Sequence, residues 1–136
     1  MTRYWLLILT DRNWQIVKKE GIHGVPDKKK AAATIKSIEK DDILVFYLIS
    51  PVRAIKGIGK AISEAFEERE RRLWKDRLYP HRIKISLLDT DIHVPLSGIK
   101  GKIGAIKTRI PMGVSIIPLS EKDFETIRKL KKSKMA

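Results

Sequence analysis

Apolar and polar positions along the chain form short buried runs separated by amphipathic segments. Residues 3–9 are rich in aromatic and aliphatic side chains, and a run of this length predicts a buried strand. Thr10 or Asp11 can cap a helix directly after it, and Gly21 stands where the C-terminal cap of that helix belongs. The chain is therefore predicted to open with a strand and a helix of about three turns.

The next four segments continue this mixture of strands and helices. Residues 23–26 contain Gly and Pro and are predicted to form a loop. Residues 28–38 are predicted to form a helix whose lysines point outward. Residues 43–49 are an almost uninterrupted apolar run, which is typical of a central strand. Residues 55–62 are predicted to form a strand, and the glycines within it indicate strong curvature or a close backbone approach, as at a barrel corner.

The second half of the chain mixes both kinds of element again. Residues 63–74 are charged, and their Glu/Arg pairs at a spacing of four predict a helix. Residues 82–88 alternate apolar and polar positions, as a half-buried strand does. A loop-rich stretch, 89–109, precedes a short last strand at 114–117. The sequence from Ser120 then predicts a capped final helix.

These elements define the fold class. Strands outnumber what a helical bundle needs, and they do not alternate regularly with helices. The pattern predicts an α+β fold with a curved, partly closed mixed sheet flanked by helices. A chain of 136 residues has room for one hydrophobic core, so we expect a single domain over 1–136 with a basic tail at about 128–136.

The charge balance points to a polyanionic partner. Lys and Arg number 29 against 16 Asp and Glu, which gives a formal net charge of +13 at pH 7. Hydrophobic residues make up 43% of the chain, so the cations decorate a folded body and do not form a disordered tail. Nucleic acid is the default partner of such a surface, and we expect RNA before DNA.

The composition excludes several classes of protein and suggests the habitat of the source organism. The chain has no cysteine, which excludes disulfides, zinc ribbons and thiol nucleophiles. No apolar run approaches the roughly 18 residues of a membrane span, and the first residues do not resemble a signal peptide. We therefore expect a cytoplasmic protein without a membrane partner. A single Asn and a single Gln amid many Lys and Ile suggest a thermophilic archaeal origin.

The sequence shows no arrangement that demands catalysis. His23, His81 and His93 lack the spacing of metal ligands, and no nucleophile elbow is present. We expect no catalytic residue, no metal and no cofactor. Binding chemistry is better supported, because aromatic side chains can stack on bases while cations attract phosphates. The candidate phosphate-binding residues are Lys28, Lys29, Lys30, Arg53, Lys56, Arg82 and Arg109.

Several short motifs follow one another in a recognisable order along the chain. A Tyr-Trp strand is followed by a helix with Trp14, a Gly-Val-Pro segment, a basic helix and a Lys-Asp-Asp turn at 40–42. The motifs are Tyr4-Trp5-Leu6, Trp14, Gly24-Val25-Pro26 and residues 40–47, 55–61, 79–85 and 120–124. Their order resembles the EVE domain over roughly the whole chain, and the turn at 40–42 is close to that family's Lys-Gly-Asp turn.

The resemblance implies a PUA-like pseudobarrel related to YTH domains, with a pocket that receives a flipped and often modified base. It departs from the family at two positions. His23 stands where the family has Trp, which changes the expected ligand preference, and Asp42 replaces the Gly of the turn, which we expect to affect backbone geometry only. Carried over by position, the pocket would be walled by Thr10, Asp11, His23, Gly24, Val25, Tyr47, Leu48 and Ser50.

Together, charge and resemblance predict a non-enzymatic RNA-binding module that accommodates one base. Two alternatives stay open. One is a small RNA- or nucleotide-processing enzyme of the ASCH-like type, for which Asp11, His23 and Lys60 are the candidate groups. The other is a basic ribonucleoprotein component without a pocket.

Overall fold

The structure, a computed structural model, describes residues 2–111 and 114–135, with side chains up to residue 131. In this part of the chain eight strands form one curled mixed sheet, and four helices flank it. The strands are β1 (Tyr4–Leu9), β2 (Ile22–Val25), β3 (Ile43–Leu48), β4 (Ala54–Ala61), β5 (Phe66–Glu67), β6 (His81–Asp89), β7 (Val94–Pro95) and β8 (Ile116–Leu119). The helices are α1 (Asp11–Glu20), α2 (Lys29–Lys36), α3 (Leu96–Ile99) and α4 (Glu121–Met135). None of these four helices is long and apolar enough to cross a membrane.

The sheet has the order β2-β6-β4-β3-β1-β8, with β5 added to β6 and β7 added to β4. β1 and β3 are parallel, and the other pairs are antiparallel. Helix α2 contacts both of the strands that end this order, β2 and β8. The α+β class and the curved, partly closed mixed sheet predicted from the sequence are thereby confirmed.

Strand alternation divides the core into two layers, one on each face of the sheet. In the α1–α2 layer, Phe46 packs with Trp14 and Ile35. In the α4 layer, Tyr47 packs with Ile127. Sequence neighbours such as Phe46 and Tyr47 therefore serve opposite faces, which matters for the predicted pocket.

The glycines of β4 make room for this packing. A Cβ on Gly57 would lie 2.3 Å from Cη2 of Trp14, so a residue without a side chain is needed where the indole lies on the strand. The pairing of β4 with both of its neighbours also contains register shifts. These features confirm the predicted curvature and close approach.

The helix caps follow the sequence closely. The side chain of Thr10 accepts a hydrogen bond from the Asn13 backbone N–H at 3.1 Å, and Gly21 ends α1 with φ 67°. The hydroxyl of Ser120 accepts from the Asp123 N–H at 2.9 Å. Each cap pairs a helix-terminal N–H or carbonyl group that would otherwise lack a partner.

The predicted loop at 23–26 is wrong, because Ile22–Val25 is strand β2. It pairs antiparallel with β6, and His23 lies opposite Ile83. Pairing with β6 satisfies the backbone groups of this segment, which local Gly and Pro signals could not foretell. Gly24 also has a packing role here, since a Cβ on it would lie 2.7 Å from Trp74.

The predicted helix at 63–74 is wrong as well. The only regular element described there is the two-residue strand β5. Two arginines form long-range ion pairs: Arg69 with Asp27 at 2.9 Å, in addition to its pair with Glu67, and Arg71 with Glu20 at 2.8 Å. Helical Glu/Arg pairs contribute only about 0.2–0.5 kcal/mol each, so burial of Trp74 and long-range contacts decide the conformation.

The last strand begins two residues later than predicted, at Ile116, and ends at Leu119. Its register is set by antiparallel pairing with β1. Pro118 is tolerated because β8 is an edge strand and one side of its backbone needs no partner. The basic segment predicted from about residue 128 is the end of α4; residue 136 and the side chains after 131 lie outside the described part.

Asp42 does more than shape the turn, contrary to expectation. Its buried carboxylate accepts hydrogen bonds from Nε1 of Trp5 and from the Glu39 backbone N–H, both at 2.9 Å. The neighbour Asp41 is the residue with the left-handed backbone, at φ 77°. Asp41 is therefore the position at which a glycine would relieve strain.

Candidate nucleic-acid interface

One end of the sheet gathers three loops into a continuous surface. β1 and β3 are parallel, so both finish here, and the N–H of Ile49 donates to the carbonyl of Leu9 at 3.0 Å. On the other side of β1, the N–H of Ile8 donates to the carbonyl of Ser115 at 2.8 Å. β4 begins at the same end, since Leu48 pairs with Ala54. We call this surface the rim; it consists of residues 9–10, 49–53 and 114–115.

A cavity of about 230 Å³, the α2 cavity, adjoins the β8 side of the rim. It has cationic, hydroxyl-bearing and apolar walls, supplied by α2 with the residue before it and by the chain entering β8. Lys28 and Lys30 are exposed and take part in no ion pair within the described residues. The lining residues are Lys28, Lys30, Ala31, Thr34, Val114, Ser115 and Ile116.

A second cavity of about 370 Å³, the β7 cavity, adjoins the rim on its β4 side. Its cations are Arg53 and Lys100, both exposed and without an ion pair among the residues that the structure describes. Nearby on β4, Nζ of Lys56 lies 3.2 Å from Nδ1 of His93. The lining residues are Pro51, Val52, Arg53, Pro95, Leu96, Ser97 and Lys100.

The structure separates the eight predicted pocket residues into two groups. Thr10, Asp11 and Ser50 are exposed at or beside the rim. The other five, His23, Gly24, Val25, Tyr47 and Leu48, are buried. None of the eight lines the α2 cavity or the β7 cavity.

His23 and Tyr47 do not face each other across a slot, so that part of the predicted pocket is wrong. Their strands, β2 and β3, are separated in the sheet by β6 and β4. Tyr47 packs in the α4 layer. Val25, which shares a strand face with His23, packs in the α1–α2 layer. Two residues on different faces of a sheet cannot wall one pocket.

His23 is a buried, neutral side chain. It is 4% exposed, and its Nε2 has no hydrogen-bond partner within the described residues. Burial lowers the pKa of His23 from 6.5 to about 4, because a charged imidazole would lose its hydration there. At neutral pH this ring therefore carries no charge toward a phosphate.

Arg82 is a structural residue and not a surface phosphate contact, so its predicted role is wrong. The side chain is 1% exposed. Its Nε donates to the carbonyl of Tyr79 at 2.9 Å, a second nitrogen donates to the carbonyl of Arg71, and the guanidinium lies 5.0 Å from the centroid of the Trp74 ring. Arg82 thereby holds the 71–79 loop against β6. Arg109, by contrast, is exposed.

The side chains considered for catalysis do not lie close together. Asp11 begins α1 at the rim, while Lys60 lies at the other end of β4 and pairs with Asp41 at 3.7 Å. Among the described residues, no three His, Asp or Glu side chains are grouped as metal ligands.

Sequence reasoning missed the side chains that give the cavities their shape, such as Thr34, Val114 and Ser115. The sequence shows that Ala31 and Thr34 lie three residues apart, on one face of a helix, but no local pattern indicates that residues 114–116 lie opposite them. Lys100 was visible only as one cation in a loop. Contacts between segments about 80 residues apart in the chain cannot be inferred from periodicity.

Comparison with known proteins places this geometry in a family. A sequence profile of the EVE domain matches residues 3–130. A UPF0310 protein of Pyrococcus abyssi is 28% identical over 143 residues, covering 93% of this chain and 98% of that protein. A UPF0310 protein of Pyrococcus horikoshii is 27% identical over 146 residues, covering 93% and 97%.

Solved structures share the fold at lower identity. A hypothetical protein from Leishmania major superposes with a TM-score of 0.75 at 14% identity, covering 100% of this chain and 98% of that chain. A YTH domain-containing protein, solved as a complex with RNA, superposes with a TM-score of 0.70 at 14% identity, covering 98% and 83%. Likeness at this identity establishes the PUA-like and YTH-like architecture alone.

Proposed function

Since the chain belongs to the EVE domain family, we propose that it is a non-enzymatic module that binds single-stranded RNA at the rim and accommodates one unstacked base. The RNA in the YTH-domain complex and the net charge of +13 support an RNA partner. We also infer a cytoplasmic protein of a thermophilic archaeon, and the similarity to two Pyrococcus proteins supports that origin.

The observation that carries the proposal is the composition of the α2 cavity. An extruded base costs a few kcal/mol of lost stacking, so its site must offer apolar contact and partners for the polar edge. Val114 offers an apolar wall, and the hydroxyls of Thr34 and Ser115 offer edge partners. Thr34 donates its own proton to the carbonyl of Lys30 at 2.9 Å, which leaves its oxygen free to accept.

The cations beside this cavity hold the backbone of the strand. Lys28, Lys29 and Lys30 are consecutive and exposed, and unpaired ammonium groups gain most from releasing the counterions of a phosphate chain. Arg53, Lys56 and Arg109 extend the set of phosphate-binding side chains. Thr10, Asp11 and Ser50 contact the RNA where it crosses the rim, whereas His23, Gly24, Val25, Tyr47 and Leu48 are buried in the sheet and contribute to folding.

The test is a fluorescence anisotropy titration of a labelled ten-nucleotide RNA, with a central adenine that is either methylated or unmethylated, at several salt concentrations. We expect the Lys28→Ala/Lys30→Ala variant to bind at least tenfold more weakly. The slope of log K against log salt should flatten by about 1.4, at roughly 0.7 for each phosphate that is no longer neutralised. The matched control, Lys40→Ala/Lys122→Ala, removes the same charge at the opposite end of the sheet and should bind almost as tightly as wild type.

A second pair of variants separates base accommodation from plain electrostatics. Val114 and Ile62 are both exposed apolar side chains, at 37% and 44%, but Ile62 follows β4 at the end of the sheet away from the rim. Val114→Glu should abolish the difference between the methylated and unmethylated RNAs or weaken both, while Ile62→Glu should not. RNA binding no tighter than heparin binding, or equally weakened binding in both pairs of variants, would refute the proposed function.

A further inference from the structure

We propose that the β7 cavity binds a second nucleotide of the same RNA strand, so that the strand crosses the rim from the α2 cavity to the β7 cavity. This inference rests on the proposed function of the α2 cavity. It adds a second base site and a path for the bound strand across the rim, which the first site alone does not provide.

The lining of the β7 cavity suits a nucleotide better than it suits a free anion. Val52, Pro95 and Leu96 give it an apolar floor, and Ser97 adds one hydroxyl. Arg53 and Lys100 flank that floor as exposed cations. A base can lie on the apolar floor while its phosphate meets the cations, and a guanidinium can also stack on the base plane.

The backbone of Arg53 provides an independent indication that this side chain has a role. Its φ is 50°, in the left-handed region where a glycine would sit without strain. The position is held from both sides: the N–H of Arg53 donates to the carbonyl of Ile49 at 3.4 Å, and its carbonyl accepts from the N–H of Leu96 at 2.9 Å. A strained residue with a long cationic side chain at the mouth of a cavity points to function.

The rim offers a continuous path between the two cavities. Ser115, Leu9, Ile49 and Arg53 belong to neighbouring chain segments at this end of the sheet, and three strand spacings separate the outer two, about 14 Å. A stacked strand rises about 3.4 Å per nucleotide and an extended one about twice as much, so roughly two to four nucleotide steps cover that distance. Between the cavities lies Ile49, an exposed apolar side chain (39%) on which an intervening base can rest.

This geometry makes binding depend on RNA length in a way that tests the inference. A dinucleotide is too short to reach both cavities, whereas a ten-nucleotide RNA spans them. The informative variant is Arg53→Gly/Lys100→Ala, because glycine keeps the left-handed backbone while removing the guanidinium. We expect it to lower affinity for the ten-nucleotide RNA at least tenfold and to flatten its salt slope by about 1.4. Affinity for the dinucleotide should change less than about twofold.

A second variant tests the cavity without touching its cations. Ser97 is exposed, so Ser97→Glu should leave the fold intact while placing a carboxylate where the phosphate lies. It should reproduce the length-dependent weakening, and Ile62→Glu, which adds the same charge at the opposite end of the sheet, should not. A thermal unfolding midpoint equal to that of wild type confirms for each variant that folding is unchanged.

The outcomes distinguish this inference from the proposed function. Equal weakening for short and long RNA, or unchanged binding of the long RNA in Arg53→Gly/Lys100→Ala and Ser97→Glu, would overturn the second site. If Lys28→Ala/Lys30→Ala left binding of the dinucleotide unchanged, the α2 cavity itself would be refuted.

Discussion

Replacement of Gly57 by Ala tests how the α1–α2 layer is built. The added Cβ would lie 2.3 Å from Cη2, 2.8 Å from Cζ2 and 3.3 Å from Cζ3 of Trp14. Carbon atoms that touch prefer a separation of about 3.5–4.0 Å, so the indole must move by more than about 1 Å. It cannot move freely, because it is 3% exposed and its ring centroid lies 5.0 Å from that of Phe46.

The expected change in the free energy of unfolding combines two opposing contributions. Overpacking a well-filled core costs roughly 1–3 kcal/mol, and an approach this short belongs at the upper end of that range. Replacing Gly by Ala in an extended strand returns about 0.4–1 kcal/mol through the entropy of the unfolded chain. We therefore expect Gly57→Ala to lower the free energy of unfolding by about 2 kcal/mol.

Urea denaturation of single and double variants measures this change in the free energy of unfolding. Gly98→Ala is the control without a clash, since the nearest atom to its added Cβ lies 3.9 Å away, and it should be more stable than wild type by up to about 1 kcal/mol. Trp14→Phe shortens the ring that Gly57→Ala would strike, so the double variant should be more stable than the sum of the single effects by about 1 kcal/mol. Additive effects, or a Gly57→Ala variant as stable as Gly98→Ala, would refute the proposed packing.

Two further predictions concern buried ionisable groups. Above its unfolded pKa of 6.5, His23 is neutral in both the folded and the unfolded chain. As the pH falls from there toward its folded pKa of about 4, only the unfolded chain binds the proton. The folded protein therefore loses stability across this window, and the loss levels off below it. The free-energy difference between wild type and His23→Phe should therefore change by about 3 kcal/mol between pH 7.5 and 4 in urea titrations, and a difference independent of pH would contradict the burial of His23. Arg82→Met leaves the carbonyls of Tyr79 and Arg71 without their donor and should cost roughly 3 kcal/mol, with RNA affinity unchanged at temperatures where the variant is folded. The same replacement at the exposed Arg77 should cost little, and a loss of RNA affinity confined to Arg82→Met would restore its predicted role as a phosphate ligand.

Much of the fold follows from signals within about ten residues. The strand at β1, the helices α1 and α2 and the central strand β3 were all predicted from periodicity and caps. The caps at Thr10 and Gly21 can be predicted from the sequence because each cap and its hydrogen-bond partner lie within about one helical turn of each other. The glycines of β4 also signalled a close approach, although nothing in the sequence named Trp14 as the neighbour.

The candidate site was predicted in part. Charge and motif order indicated RNA and named Lys28, Lys30 and Arg53, which the structure places beside cavities at the rim. The predicted pairing of His23 with Tyr47 failed because strand order and side-chain alternation are properties of the assembled sheet. Arg82 shows the same limit, because the sequence does not indicate whether the guanidinium of an arginine contacts phosphate or backbone carbonyls.

By itself the sequence determined the class of fold, the sign of the protein's own net charge and the positions of the well-capped helices, because periodicity, capping and net charge are local or additive properties. Only the tertiary structure decided that residues 22–25 form a strand, that residues 63–74 do not form a helix, and that α2 meets β8 to leave a cavity. Those outcomes depend on which distant segment satisfies a backbone group or fills a space, and that choice exists only once the sheet has closed.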